Sequence, residues 1–521
     1  MSFVSAATVV ALVFARLVLA SRHNFVHRDL HPRDTVLPDF NAPVTARDGS
    51  EIPPYNTTFY FDQLIDHNNP TLGTFKQRYW FTYEFYESGG PVIIMTPGQS
   101  NAEYYITYLT NTTIAGMIAQ HVSGVNIVLE HRFVGQSFPY TDFTGKNYSV
   151  LTLEQAIDDY EYFAKNVKLS MPDGNNLGPD KAPWIVLGSS YGGALAAYTM
   201  ASKPGLFWAG YASSAIVQTI DSFWQYFEPI RQYMPRNCSA DVVAVIAHFD
   251  EVASSNNTTA IENLKADFGM AGLVHLDDLA DSLRSRLFDW QSLQPSSGPG
   301  GAFYEFCDVL EVKNGVSAPA EGWGLDHAYQ SWAKLWRNDY VPSLNCGDST
   351  IEECVGTYDP TQDYYKNSLD KGRFWWWMQC SQIGFWQTGP SQDADVPAIV
   401  SRILQPDWFT RQCQYFFSDI YSAWPDTESI VKDTNAKYGG VSLQADRLLF
   451  VNGRRDPWLY STVSAPGVNR QSTESTPIIL TDGFHGSDVV AEEAVDPTID
   501  DAQKQTLSIM QKWLAEWPAS A

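Results

Sequence analysis

The sequence has little positive charge. Lys and Arg together number 34 against 59 Asp and Glu, so the formal net charge at pH 7 is −25. Such a surface repels nucleic acid phosphates and anionic lipids, which argues against nucleic acid and membrane surfaces as partners. The excess of carboxyl groups suits a medium acidic enough to protonate part of them.

Cysteine is also scarce, and its spacing does not resemble a zinc site. An even number of cysteines in an exported chain predicts three disulfides, although fifteen pairings are open and the sequence does not choose among them. Nothing marks one of them as an activated thiol, and we expect neither a metal nor an organic cofactor. The six are Cys238, Cys307, Cys346, Cys354, Cys380 and Cys413.

Convincing membrane spans are lacking beyond the first 20 residues. Residues 1–20 contain an apolar stretch from Ala6 to Leu19, interrupted by Arg16, and end in the small Ala20, which predicts a secretory signal peptide in preference to a membrane anchor. Residues 21–41 are basic and polar, as in a pro-segment or a disordered arm. We therefore expect a secreted glycoprotein, in preference to a lysosomal or vacuolar one, with no membrane contact after signal removal. Its six glycosylation sequons begin at Asn56, Asn111, Asn147, Asn237, Asn256 and Asn257.

What the sequence does contain is an alternation of short apolar runs and helical patterns. Residues 58–85 predict an antiparallel pair of strands, and continuous apolar runs follow at 91–95, 125–129, 184–187 and 208–212. Strand-like runs return at 447–452 and 477–480, and an amphipathic helix is predicted over about 500–516. This alternation favours an α/β fold with a mostly parallel sheet.

One motif carries chemistry. Gly188-Ser189-Ser190-Tyr191-Gly192 follows an apolar strand and precedes a helix of small residues, which is the context of a nucleophile elbow. A serine needs a base and an orienting carboxylate, and in the α/β-hydrolase order these are Ser, Asp, His. His485 is the only histidine beyond residue 330 and follows the 477–480 strand, while Asp456 follows the 447–452 strand. Ser190, Asp456 and His485 are therefore the candidate catalytic triad.

Other candidates compete for some roles. Asp482 and Asp488 lie nearer to the histidine in sequence, but Asp482 precedes it by three residues and is poorly placed to approach from a neighbouring loop. For the oxyanion hole, the N–H of Tyr191 is the first expected donor. Gly98 or Gln99, in the loop after the third strand, is the second.

The fold prediction follows from these positions. We expect an α/β-hydrolase fold interrupted by a large, disulfide-stapled, mainly helical cap insertion. The hydrolase domain comprises 42–220 and 431–521, and the cap comprises 221–430, which holds all six cysteines.

From about residue 55 onward the chain resembles a family of secreted and lysosomal serine peptidases. This family includes prolyl carboxypeptidase, dipeptidyl peptidase II and the fungal acid prolyl endopeptidases. The resemblance rests on several motifs in the right order: Glu130–Ser137, Leu151–Ala156, Gly188–Gly193, Trp376–Cys380 and Asn452–Trp458. It implies the same triad and hydrolysis on the carboxyl side of proline. Proline's rigid ring suits aromatic walls, for which Trp377, Trp386 and Trp458 are the candidates.

Several alternatives stay open at this level. A serine carboxypeptidase or dipeptidyl peptidase without strict proline preference would use the same triad, as would a carboxylesterase on the same fold. The other family of secreted serine carboxypeptidases carries a glutamate before its nucleophile, where this chain has Ser189. An inactive binding module would be expected to have lost a triad residue, and none is lost. The expected partner is a peptide or protein substrate, and a homodimer is left open.

Overall fold

The computed structural model describes residues 37–367, 369 and 372–518. The predicted signal peptide, and residues 21–36 of the predicted pro-segment or arm, lie outside these ranges.

An eight-stranded sheet forms the centre of the protein. Its strands are Phe59–Leu64 (β1), Thr74–Thr82 (β2), Val92–Thr96 (β3), Val125–Leu129 (β4), Trp184–Ser189 (β5), Ala209–Ser213 (β6), Leu448–Gly453 (β7) and Ile478–Thr481 (β8). Their order across the sheet is β1-β2-β4-β3-β5-β6-β7-β8. Strand β2 is antiparallel to β1 and β4, and the other neighbours are parallel. This order, with helices on both faces, confirms the predicted α/β-hydrolase fold.

Burial explains why the central strands are continuous apolar runs. Every residue of β3, β4, β6 and β7 is buried, because helices cover both faces of the sheet. The edge strand β1 instead alternates between more and less exposed positions. Four helices of the hydrolase domain pack on the sheet: Ile114–His121 (α1), Leu153–Asn166 (α2), Tyr191–Ser202 (α3) and the C-terminal Pro497–Ala515 (α13).

Between β6 and β7 the chain forms a large helical insertion, as predicted. Its longer helices are Phe227–Tyr233 (α4), Arg236–Ser254 (α5), Thr258–Asp267 (α6), Leu276–Leu283 (α7), Ala302–Glu311 (α8), Leu325–Leu335 (α9), Arg373–Met378 (α10), Pro406–Phe416 (α11) and Thr427–Tyr438 (α12). All six cysteines lie here and form the disulfides Cys238–Cys307, Cys346–Cys354 and Cys380–Cys413. The number of disulfides is as predicted, and the structure shows which cysteines pair. Each disulfide joins two segments of the cap.

Helix α13 begins at Pro497, three residues before the predicted start. Asp496 caps it by accepting a hydrogen bond from the N–H of Thr498, and proline is favoured in the first turn because its missing N–H is not needed there. Across the described ranges, none of the helices has the length and apolar character needed to cross a membrane.

Candidate active site

The candidate triad residues and Gly98 all follow the carboxyl ends of parallel strands. Ser190 follows β5, Asp456 comes three residues after β7, and His485 comes four residues after β8. Gly98 comes two residues after β3. Because neighbouring parallel strands end at the same edge of a sheet, the fold brings these distant segments to one rim.

The backbone at Ser190 is strained in the way that a nucleophile elbow requires. Its φ is 58° and its ψ is −127°, a combination that non-glycine residues rarely adopt. Gly188 permits the turn, because a Cβ added there would lie 2.1 Å from the carbonyl oxygen of Gly192. Ser190 is 9% exposed and directly precedes α3, whose free N–H groups and dipole favour negative charge.

His485 and Asp456 are in direct contact. Nδ1 of His485 lies 2.8 Å from Oδ1 of Asp456, which also accepts a hydrogen bond from the N–H of Trp458 at 2.8 Å. Both side chains are buried, at 3% and 0% exposure. A buried carboxylate accepts from Nδ1–H, so this contact sets the tautomer in which Nε2 is the basic nitrogen.

The loops that carry Ser190 and His485 are both attached to the end of β6. The N–H of Ser190 donates to the carbonyl oxygen of Ser213 at 3.0 Å. One residue further, Oγ of Ser214 accepts a hydrogen bond from the N–H of Gly486 at 2.9 Å. Ser213 and Ser214, which are consecutive at the end of β6, therefore fix the backbone of Ser190 and of the loop that carries His485.

The two competing aspartates have other partners. Asp482 forms a half-exposed ion pair with Arg454 at 2.9 Å. Asp488 is buried and accepts hydrogen bonds from the hydroxyls of Tyr211 and Ser213. Asp456 is the aspartate that contacts the histidine.

The predicted oxyanion loop lies against the elbow. A Cβ added to Gly98 would lie 3.0 Å from the backbone nitrogen of Gly192 and 3.1 Å from the ring of Tyr191, so a side chain there would crowd the turn. Gly98 also has φ +62°, which favours glycine. Gln99 is partly buried beside it. The structure thus brings Tyr191 and the Gly98 loop together.

A buried histidine that sequence reasoning did not single out lies behind the elbow. Nε2 of His131 lies 3.2 Å from the hydroxyl of Tyr191, and its Nδ1 lies 2.7 Å from the carbonyl oxygen of Arg132. Burial lowers the pKa of His131 to about 4, so the ring is neutral and its Nε2 can accept a hydrogen bond from the Tyr191 hydroxyl. The sequence signal that could have identified His131 is its position, because it lies two residues after β4 at the same rim as the triad candidates.

The three candidate tryptophans lie in different surroundings. The ring of Trp458 is 6.4 Å from that of His485, between centroids. Trp377 stacks on Tyr148, and its indole N–H donates to the carbonyl oxygen of Leu151. Trp386 is fully buried and stacks on a cap phenylalanine, Phe409.

Three further aromatic rings surround Trp458, and their centroids lie 5.2–5.5 Å from its own. Two of them, Phe223 and Tyr226, are near neighbours in the chain, but Phe385 and Trp458 lie far from them, so no local sequence pattern could have identified the group. With Trp458 they form an aromatic box beside the histidine, made of Phe223, Tyr226, Phe385 and Trp458.

The sequon asparagines differ in exposure. Asn56, Asn111, Asn256 and Asn257 are exposed. Asn147 and Asn237 are partly buried, and the amide of Asn147 donates to Oδ1 of Asp142 at 2.7 Å. The exposed four are accessible acceptors, and glycosylation itself stays a prediction.

The family model and the curated relatives that the chain resembles are described as serine proteases or carboxypeptidases. The family model described as Serine carboxypeptidase S28 matches residues 63–507. "Serine protease vicPb" of Bipolaris victoriae (strain FI3) is 33% identical over 479 residues, covering 88% of this chain and 89% of that protein. "Probable extracellular serine carboxypeptidase" of Arthroderma benhamiae is 30% identical and covers 82% of this chain and 61% of that protein. Human "Lysosomal Pro-X carboxypeptidase" is 24% identical and covers 89% and 90%.

Solved structures resemble the chain more distantly. The proline iminopeptidase of Mycobacterium smegmatis covers 88% of this chain and 99% of its own, with a TM-score of 0.35 and 11% identity.

Proposed function

Since the chain belongs to the Serine carboxypeptidase S28 family, we propose that Ser190, His485 and Asp456 are the catalytic triad of a serine peptidase that cleaves after proline. The serine-type peptidase activity follows from the family. The observation that carries the residue assignment is the 2.8 Å contact between His485 Nδ1 and Asp456 Oδ1 at the rim where Ser190 occupies its strained turn.

The proposed mechanism assigns each group one task. Nε2 of His485 takes the proton of the Ser190 hydroxyl as Oγ attacks the substrate carbonyl carbon, and Asp456 stabilises the imidazolium that forms. The N–H of Tyr191 and a donor of the Gly98–Gln99 loop stabilise the oxyanion, each worth about 3 kcal/mol of barrier lowering. His485 then protonates the leaving amine, and water activated by the same ring hydrolyses the acyl-enzyme.

The aromatic box supports a proline preference. Its four rings are buried, and Trp458 joins them to the histidine, which suits a rigid ring without an N–H. Trp458 is the candidate wall nearest to His485, whereas Trp377 and Trp386 would contribute from the surrounding cap. A proline ring has two carbon atoms more than an alanine methyl. At about 0.8 kcal/mol for each buried carbon, the pocket should favour proline about 15-fold in kcat/KM.

We also propose that the protein is exported. The apolar N-terminal stretch, the exposed sequons and the three disulfides support this, and the relative from Arthroderma benhamiae is named as extracellular. Disulfides persist in oxidising compartments, which the secretory route provides.

The triad is tested by Ser190→Ala. This variant should hydrolyse no proline-containing peptide and take up no fluorophosphonate label, while its circular dichroism and melting temperature stay those of the unsubstituted protein. The neighbouring Ser189→Ala, which changes a hydroxyl outside the proposed triad, serves as the control and should keep measurable activity and labelling. Turnover by Ser190→Ala would refute the assignment.

The substrate preference is tested with paired peptides that differ only by proline or alanine before the scissile bond. We expect faster cleavage after proline, and equal rates would refute the preference. Mass spectrometry of products from a long peptide, with free or blocked ends, then separates internal cleavage from removal of terminal residues or dipeptides.

A further inference from the structure

One short stretch of the cap reaches both loops that carry the acid and the base. It follows α7 in the 3₁₀ segment Arg284–Ser292 and continues to residue 297. We refer to three of its residues as the cap clamp: Trp290, Gln291 and Gln294.

On the acid side, the clamp bonds the residues that flank Asp456. The indole N–H of Trp290 donates to the carbonyl oxygen of Arg455 at 2.7 Å. Oε1 of Gln291 accepts a hydrogen bond from the indole of Trp458 at 2.8 Å. Asp456 is therefore held between two residues that are each bonded to the cap.

On the base side, Gln294 bonds the histidine loop twice. Its Nε2 donates to the carbonyl oxygen of His485 at 3.2 Å, and its Oε1 accepts from the hydroxyl of Ser487 at 2.5 Å. The same hydroxyl accepts a hydrogen bond from the N–H of Phe484 at 2.8 Å. Gln294 is therefore bonded to His485 directly and, through Ser487, to the residue before it. Gln294 is 7% exposed, which keeps water from replacing these contacts.

We propose that Gln294 is a positioning residue for His485, and that through the clamp the cap fixes the geometry of the acid–base pair. The proposal rests on the triad proposed above. The His485 carbonyl needs a donor and the Ser487 hydroxyl needs an acceptor, and the amide NH₂ and oxygen of Gln294 satisfy both. Proton transfer is sensitive to small displacements of the base, so losing both bonds should slow chemistry more than it weakens substrate binding.

The test compares Gln294→Met with Ser296→Ala. Methionine keeps the length of the side chain but removes both hydrogen bonds. Ser296 lies in the same stretch and donates to Glu493 at 2.7 Å, so its variant also removes a bond between the cap and the hydrolase domain, but one that avoids the acid and base loops.

For Gln294→Met we expect kcat for a proline peptide to fall by about 10–100-fold, with KM within about threefold. The rate at which Ser190 reacts with a fluorophosphonate, which also needs the base, should fall in parallel. Ser296→Ala should keep both rates within about twofold. A Gln294→Met variant with the same kcat as Ser296→Ala would overturn the proposal.

Gln294→Leu provides a second test should the methionine variant fail to fold. Its apolar side chain offers neither the acceptor for Ser487 nor the donor for the His485 carbonyl, so kcat should again fall with KM little changed. Unchanged kcat in this variant would also overturn the proposal. Failure of the underlying triad is distinguishable, because Ser190→Ala would then remain active or the unsubstituted protein would not be labelled at Ser190.

Discussion

Replacing Asp488 with asparagine should reduce the loss of stability that the protein suffers as the pH rises. Asp488 follows the candidate base by three residues, is 2% exposed, and accepts hydrogen bonds from Tyr211 and Ser213. Burial raises the pKa of this carboxyl to about 6, and the neighbouring charge of Asp456 acts in the same direction, while the two hydroxyl hydrogen bonds oppose the rise.

The direction of the effect follows from proton binding. In the unfolded chain the carboxyl ionises around the ordinary aspartate pKa of 3.8, whereas in the folded protein it keeps its proton to about pH 6. The stability contributed by this group is therefore fully present below about pH 4 and is lost as the pH rises through about 6. A difference of about 2 pKa units corresponds to about 3 kcal/mol at neutral pH.

The assay is urea denaturation of the two proteins at pH 4 and at pH 7.5, with disulfides intact. Asparagine cannot ionise, so the fall in unfolding free energy between these pH values should be smaller by about 3 kcal/mol in Asp488→Asn. Asp180→Asn, at a position whose side chain is 75% exposed, is the matched control and should keep the pH dependence of the unsubstituted protein. The same pH dependence in Asp488→Asn would refute the reasoning.

Two further predictions concern the candidate site. Asp456→Asn should lower kcat by about 10⁴ in a peptide assay, because an amide favours the wrong histidine tautomer, and a loss under tenfold would exclude Asp456 as the orienting acid. Gly188→Ala should abolish fluorophosphonate labelling of Ser190, because the added methyl would lie 2.1 Å from a backbone oxygen of the elbow. Gly301→Ala, where an added Cβ has its nearest neighbour at 3.5 Å, should label normally. Full labelling of Gly188→Ala would contradict this account of the turn.

Much of the fold could be predicted from local patterns. The continuous apolar runs identified the central strands to within one or two residues, since a strand buried on both faces has no polar alternation to obscure it. The elbow could be recognised because Gly188-x-Ser190-x-Gly192 meets steric demands that lie within five residues. Helix α13 begins earlier than its amphipathic pattern predicts because Asp496 and Pro497, an amino-terminal cap and a first-turn proline, set its start.

The surroundings of the site could not be predicted in this way. Phe223 and Phe385 meet Trp458, and Gln294 meets His485, across separations of 73 residues or more that no periodicity spans. The stretch around Gln294 is rich in Ser, Pro and Gly, a composition typical of any surface loop. Its contacts depend on how the cap folds back over the sheet.

The sequence by itself determined the strand runs, the serine-bearing turn and the chain order of serine, aspartate and histidine. Each of these depends on sterics and burial within a few neighbouring residues, or on the simple rule that parallel strands end at one edge. Only the tertiary structure decided the disulfide pairs, the aromatic box and the clamp on the histidine loop. Such contacts arise from packing between segments far apart in the chain, where residue type alone does not specify a partner.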